Sequence, residues 1–186
     1  MFLRTARFLA PVLAIVPSAS AALSASASIS TSQVSAPFNY TVTLHNTGDT
    51  AIGSFWFAWT DVPRSYDFLP TTPSNITAPA GWVFPVTHNT FPGDGYGIEW
   101  YNVGGSSIGP GGVGTFQFTS NDSPTALAGP AFFPGFQILN SVVYIGFPQG
   151  DPGYTFTASI PGPGGAATLA LCGLSLMRRR RSGSSR

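Results

Sequence analysis

The 186-residue chain has no lysine, one cysteine, one glutamate and two histidines, and each scarcity excludes something. Its fixed positive charge is all arginine. Seven of the eight arginines lie towards the ends: Arg4, Arg7, Arg178, Arg179, Arg180, Arg181 and Arg186. Only Arg64 falls between residues 22 and 165, whereas all seven acids do: Asp49, Asp61, Asp67, Asp94, Glu99, Asp122 and Asp151. The middle of the chain therefore carries a net charge of −6. Nucleic acid is bound through clustered Lys and Arg on its phosphates, so it is excluded as a partner of this region. Adhesion to an anionic membrane surface is disfavoured for the same reason. The single cysteine, Cys172, sits in an apolar stretch near the C-terminus. The middle thus has neither disulfide nor thiol chemistry. Cys172 itself reads as a small apolar filler, with lipidation as the alternative. Also missing, between residues 28 and 160, is any window of ten or more residues with a clean 3.6-residue period.

What is present is alternation. Leu23, Ala25, Ala27 and Ile29 alternate with serines; Phe38, Tyr40, Val42 and Leu44 with Asn39, Thr41, Thr43 and His45. Phe116 and Phe118, and then Tyr154, Phe156, Ala158 and Ile160, follow the same rule. Each run predicts a strand with one apolar and one polar face. Residues 55–59 and 141–147 are apolar at nearly every position, as central strands are. Residues 82–87 contain Pro85 and predict an edge or bent strand. In residues 95–101, Tyr96, Ile98 and Trp100 share one side. Asn46-Thr47-Gly48-Asp49 reads as a hairpin turn, with further turns at residues 92–95 and 109–112. Residues 63–79 and 120–134 read as Pro-rich loops. About 138 residues suffice for one domain that buries about 68–70% of its unfolded surface. The expectation is an all-β fold: a single antiparallel β-sandwich, immunoglobulin-like or jelly-roll-like, over residues 23–160.

The two ends read as addresses. Arg4 and Arg7 precede the apolar run FLAPVLAIV, and Ser18-Ala19-Ser20-Ala21-Ala22 offers small residues for signal peptidase. Residues 1–22 are therefore expected to be a signal peptide cleaved after Ala21 or Ala22. At the other end, Pro161-Gly162-Pro163 leads into an apolar stretch over residues 166–177 and the block Arg178, Arg179, Arg180, Arg181. A greasy segment leaves a bilayer at high cost and an arginine block crosses it at high cost, so the tail predicts where the protein is held. Twelve helical residues span about 18 Å, against about 30 Å of hydrocarbon, which suits a thin, transient anchor.

This layout resembles a PEP-CTERM sorting signal, or its planctomycete-type variant, with Gly162 in place of the usual Glu between the prolines. The resemblance covers about residues 160–181. It implies export, recognition by an exosortase-like membrane peptidase at residues 161–186, and delivery to the cell surface or an exopolysaccharide matrix. Residues 108–120, Pro-Gly followed by a Phe-rich strand, and residues 40–48, resembling the start of bacterial immunoglobulin-like domains, are similar to domains that precede such tails.

Chemistry in the middle is sparse. Glycoside hydrolysis needs two facing carboxylates, and Glu99 with Asp94 is the pair to consider. His45 and His88, without a close third ligand, make a poor zinc signature. Asp49, Asp94, Asp122 and Asp151 are expected in loops, as turn formers rather than calcium ligands. Gly93-Asp94-Gly95-Tyr96-Gly97 lacks the lysine and helix of a phosphate loop, and no Gly-x-Ser-x-Gly elbow occurs. No catalytic residue, metal or cofactor is assigned. Trp56 is out of phase with Phe55, Phe57 and Trp59, and Tyr101 with Trp100. Both are candidate exposed platforms for stacking polysaccharide, against core packing as the commoner fate of such rings. The reading is thus an exported, non-enzymatic surface or matrix protein, with a carbohydrate-binding module as the alternative and a glycoside-active enzyme third.

Overall fold

The structure, a computed structural model, describes residues 22–61, 64–88, 94–146 and 153–161. Nearly all of the expected signal peptide, together with Gly162, Pro163 and the arginines at 178–181, lies outside them. The strands are β1 (Ala25–Ser30), β2 (Phe38–Asn46), β3 (Ser54–Phe57), β4 (Trp59–Thr60), β5 (Tyr66–Asp67), β6 (Ser74–Thr77), β7 (Trp82–Val83), β8 (Val86–Thr87), β9 (Gly97–Asn102), β10 (Val113–Ser120), β11 (Asn140–Tyr144) and β12 (Tyr154–Thr157), with one helix, α1 (Pro124–Leu127). The fold is all-β, and the pairings between these strands are antiparallel, while a parallel bridge joins Ser28 of β1 to Ser159, just past β12. Among the described residues no helix is long and apolar enough to cross a membrane.

Two sheets carry the architecture. The smaller has the order β1-β2-β10-β6; the larger runs β12-β11-β3-β9-β7, with β8 also on β9; β4 and β5 form a separate pair. The alternation explains the smaller sheet directly: Ala25, Ala27 and Ile29 of β1, Tyr40, Val42 and Leu44 of β2, and Phe116 and Phe118 of β10 are buried, while their neighbours point out. These inward residues share one core with Phe55, Phe57, Ile98, Trp100 and Val143 of the larger sheet. Ring contacts bridge the two: Trp100 to Phe116 at 4.9 Å, Phe57 to Phe118 at 5.3 Å and Phe55 to Phe116 at 5.5 Å between centroids. Each such pair adds about 0.5–1.5 kcal/mol beyond its buried area. Trp100 and Tyr40 place their polar ends on carbonyls, Nε1 to Thr77 O at 3.1 Å and Oη to Asp122 O at 2.7 Å.

Several expectations change. Asn46-Thr47-Gly48-Asp49 is not a hairpin turn, because β2 pairs with β1 and β10 whereas β3 belongs to the other sheet. The segment instead carries the chain between sheets. Thr47 N and Gly48 N donate to Ser24 O, and Asn46 Nδ2 donates to Thr50 O and Ile108 O at 2.8 Å. The apolar run at 55–59 is broken at Ala58, whose φ of 55° turns the chain from β3 into β4. Residues 82–87 divide into β7 and β8 on either side of Phe84-Pro85, as Pro85 predicts. Within the loop at 63–79 lie β5 and β6. The loop at 120–134 contains α1, capped by Ser123 Oγ accepting from Ala126 N at 3.1 Å, with Pro124 as its first residue. One turn is too short for periodicity to reveal.

Candidate functional site

The outer side of the larger sheet carries the residues singled out from the sequence. In β3, Phe55 and Phe57 enter the core, so Trp56 faces away; in β9, Ile98 and Trp100 enter it, so Glu99 and Tyr101 face away. Pairing sets Trp56 opposite Glu99 and Ser54 opposite Tyr101, which makes Tyr101 the diagonal neighbour of Trp56. On the other flank, β11 places Val142 opposite Trp56 and Tyr144 opposite Ser54.

This face is covered. After the turn at Ala58, Trp59 lies against Trp56 with ring centroids 4.2 Å apart, and meets Tyr144 edge-on at 6.5 Å. These three rings and Val142 form a second apolar cluster. Trp56 keeps 7% of its surface and Glu99 only 4%. Of the two readings of Trp56, packing and an exposed platform, its burial agrees with packing: the ring faces away from the main core, but Trp59 covers it. Tyr101 is half-buried.

The polar atoms under this cover are unevenly satisfied. Tyr144 Oη donates to Asp61 Oδ2 at 2.6 Å; burial first, then that bond and the Asp61 charge, push the phenol upward. Trp56 Nε1 and Glu99 Oε1 are buried with no hydrogen-bond partner among the described residues. Burial pushes the Glu99 carboxyl from an ordinary 4.5 up to about 7, because a charged carboxylate loses its water there.

Asp94 precedes β9. Its Oδ1 accepts from Asp67 N at 2.7 Å and Gly95 N at 3.1 Å, and Asp67 Oδ1 accepts from Thr87 Oγ1 at 2.5 Å. Asp67, Asp94, Phe68, Pro70, Pro130 and Phe132 line a cavity of about 240 Å³, with Phe132 73% exposed. Gly97 admits the Asp67 carboxylate against β9, since a Cβ there would overlap Asp67 Oδ1. The structure thus brings Asp94 to Asp67. Glu99 does not line that cavity.

The remaining candidates have structural employment. His45 is exposed on β2; His88 stacks on Tyr96 at 4.6 Å, with Nδ1 2.6 Å from Gly95 O. Asp49 accepts from Ala22 N. Asp122 Oδ2 accepts from Thr71 N at 3.1 Å, Thr71 Oγ1 at 2.9 Å and Ser120 Oγ at 2.9 Å, clamping the connection before β6 to the end of β10. Asp151 lies outside the described residues, as does the turn at 92–95 in part. Among the described residues no group of three or more His, Cys, Asp or Glu is placed to hold a metal ion. Pro161 is exposed at the end of the described chain. No protein-family model matches the chain, and no curated protein matches it significantly.

Sequence reasoning missed Asp67, Thr87 and the Asp122 clamp. Apart from Ser120, two residues from Asp122, their partners are 20 to 51 residues away, so little in the local sequence marks them.

Proposed function

We infer that the protein is an exported, non-enzymatic surface or extracellular-matrix protein: a β-sandwich of immunoglobulin-like or jelly-roll-like kind, held or sorted by its C-terminal segment. The observation that carries this reading is the charge map. Seven arginines lie in the two terminal segments, and four of them directly follow an apolar stretch, while the region between holds every acid. The shared aromatic core supports the single-sandwich part, since two sheets that interdigitate phenylalanines and tryptophans bury them from both sides. A core of this kind folds without disulfides, which suits a chain whose only cysteine is at position 172. The non-enzymatic part is supported by the scarcity of acid–base groups in the middle of the chain, and by Asp94 Oδ1 acting as an acceptor for two backbone amides. Signal peptidase and an exosortase-like peptidase are the partners this reading names.

Sugar stacking on Trp56 would require Trp59 to move aside, so stacking there forms no part of this reading. The deciding experiment removes residues 161–186 and fractionates the cells. The truncated protein is expected in the periplasm or medium, and the full chain in the membrane or surface fraction. Identical distributions would overturn the reading.

A further inference from the structure

The outer face of the smaller sheet is made almost entirely of uncharged hydrogen-bonding groups. Register aligns Ser28 with Thr43 and Thr43 with Thr115 in one row, and Ser30, Thr41, Gln117 and Thr77 in the next. Asn39 and Thr119 form a third row. No Asp, Glu, Lys or Arg occurs in β1, β2, β6 or β10. This is a marked exclusion in a region carrying −6 overall. No aromatic ring faces outward there either, because Phe38, Tyr40, Phe116 and Phe118 are all in the core.

The face is also shaped. Between the β6–β10 pairs Thr77–Gln117 and Ser74–Thr119 the register shifts, and Asn75 takes a left-handed φ of 47°. Such a bulge re-aims a side chain. Asn75 Nδ2 donates to Thr119 Oγ1 at 3.4 Å, and Thr119 Oγ1 donates to Asn39 Oδ1 at 2.7 Å. Gln117 Oε1 accepts from Thr77 Oγ1 at 3.4 Å. Both amide oxygens are thus engaged within the sheet, which leaves the NH₂ groups of Asn39 and Gln117 for an incoming acceptor. Thr119 is 93% buried and fixes this relay. Asn39, Thr41, Asn75, Gln117 and Thr119, with Tyr40 and Phe118 beneath them, line a groove of about 330 Å³, at the lower end of the range for ligand clefts, about 300–1,000 Å³.

We propose that this groove and the hydroxyl-amide face around it bind a neutral polysaccharide chain. Three features select that occupant. Hydroxyls and primary amides both donate and accept, which matches the hydroxyls of an uncharged sugar, and no Asp, Glu, Lys or Arg of these strands is there to pair with a charged one. The strands repeat at about 4.8 Å, so successive rings of a chain laid across the sheet meet successive strands of one row. The −6 charge of the surrounding domain repels uronic-acid or sulfated polymers. Single contacts of this kind are weak, and affinity comes from many repeats on one chain. The proposal is independent of the sorting reading, because it concerns the sheet and not the termini.

The test is affinity electrophoresis of the full chain in gels containing hydroxyethyl cellulose, a neutral mannan or a neutral galactan, with alginate as the charged control. Retardation is expected with at least one neutral polymer and not with alginate. Gln117→Glu, which places a charge on an exposed position of the groove, is expected to weaken retention about tenfold or more. Thr41→Val should weaken it less, and Trp56→Phe should leave it unchanged. Circular dichroism of each variant separates lost binding from lost fold. Absence of retardation by all three neutral polymers, retention equal in alginate, or retention unmoved by a folded Gln117→Glu overturns the proposal. So does concentration-dependent dimerisation abolished by Gln117→Glu, which would make a second copy of the chain the occupant.

Discussion

Glu99 makes the protein less stable as pH rises through neutrality, and this can be measured with a single substitution. In the unfolded chain its carboxyl ionises near 4.5; in the folded chain burial holds the proton until about pH 7. Below pH 4.5 both states are protonated and Glu99 contributes no pH dependence. Between the two values the unfolded state releases a proton that the folded state keeps, so stability falls with rising pH. Above about pH 7 both states are ionised and the penalty is constant. At about 1.36 kcal/mol per pH unit, the gap is worth about 3 kcal/mol. Glu99→Gln keeps the shape and cannot ionise. Its stability relative to the native protein should be near equal at pH 4 and greater by about 3 kcal/mol at pH 8, a rise in Tm of about 6–12 °C for a domain of this size. Urea denaturation of both proteins from pH 4 to 9 gives the difference directly, and the contributions of the other acids cancel in it. Glu99→Leu, which removes the buried polar atoms altogether, should show the same pH profile. A difference independent of pH would refute the reasoning. A native protein that gains on the Gln variant as pH rises would mean that a donor holds the Glu99 carboxylate in the folded state.

Two other perturbations probe the frame around the faces. Asp122→Ala leaves Thr71 N, Thr71 Oγ1 and Ser120 Oγ without their shared acceptor. It should cost about 2–3 kcal/mol in chemical denaturation, with amide exchange faster around residues 70–77 than in β2. Gly53 packs so closely beneath the Ile145 carbonyl that a Cβ there would overlap it. Gly53→Ala should therefore push β11 away from β3 and cost more than about 2 kcal/mol, whereas Gly109→Ala, which meets nothing within 4 Å, should cost far less. Equal costs for the two glycines would contradict the packing described.

Much of the fold was legible because period-two patterning is a local property. Alternation in 23–30, 38–45 and 115–119 identified strands and their inward residues, and one end of each pleat had to be the core. Pro85 announced the break between β7 and β8. The candidate sites were less legible. The phase of Trp56 correctly separated it from Phe55 and Phe57, yet its exposure depended on Trp59 three residues on, and the positive φ of Ala58 that brings the two rings together has no glycine to signal it. Asn46-Thr47-Gly48-Asp49 has hairpin composition, but whether two flanking strands pair is decided by which sheet each one joins. The polar positions of β1, β2, β6 and β10 were visible one strand at a time, and only their register makes them a single uncharged face.

By itself, then, the sequence determined an all-β chain with a disulfide-free aromatic core, an acidic middle and arginine-bearing ends, since composition, charge and alternation are readable without knowing any contact. Only the tertiary structure decided that Trp56 is sealed, that Glu99 is buried beside it, that Asp94 meets Asp67, and that threonines and amides from three strands form one groove. Trp56 is sealed by a near neighbour that the turn at Ala58 brings back over it; the others depend on residues distant in sequence, and pairing register, not local preference, sets which of them meet.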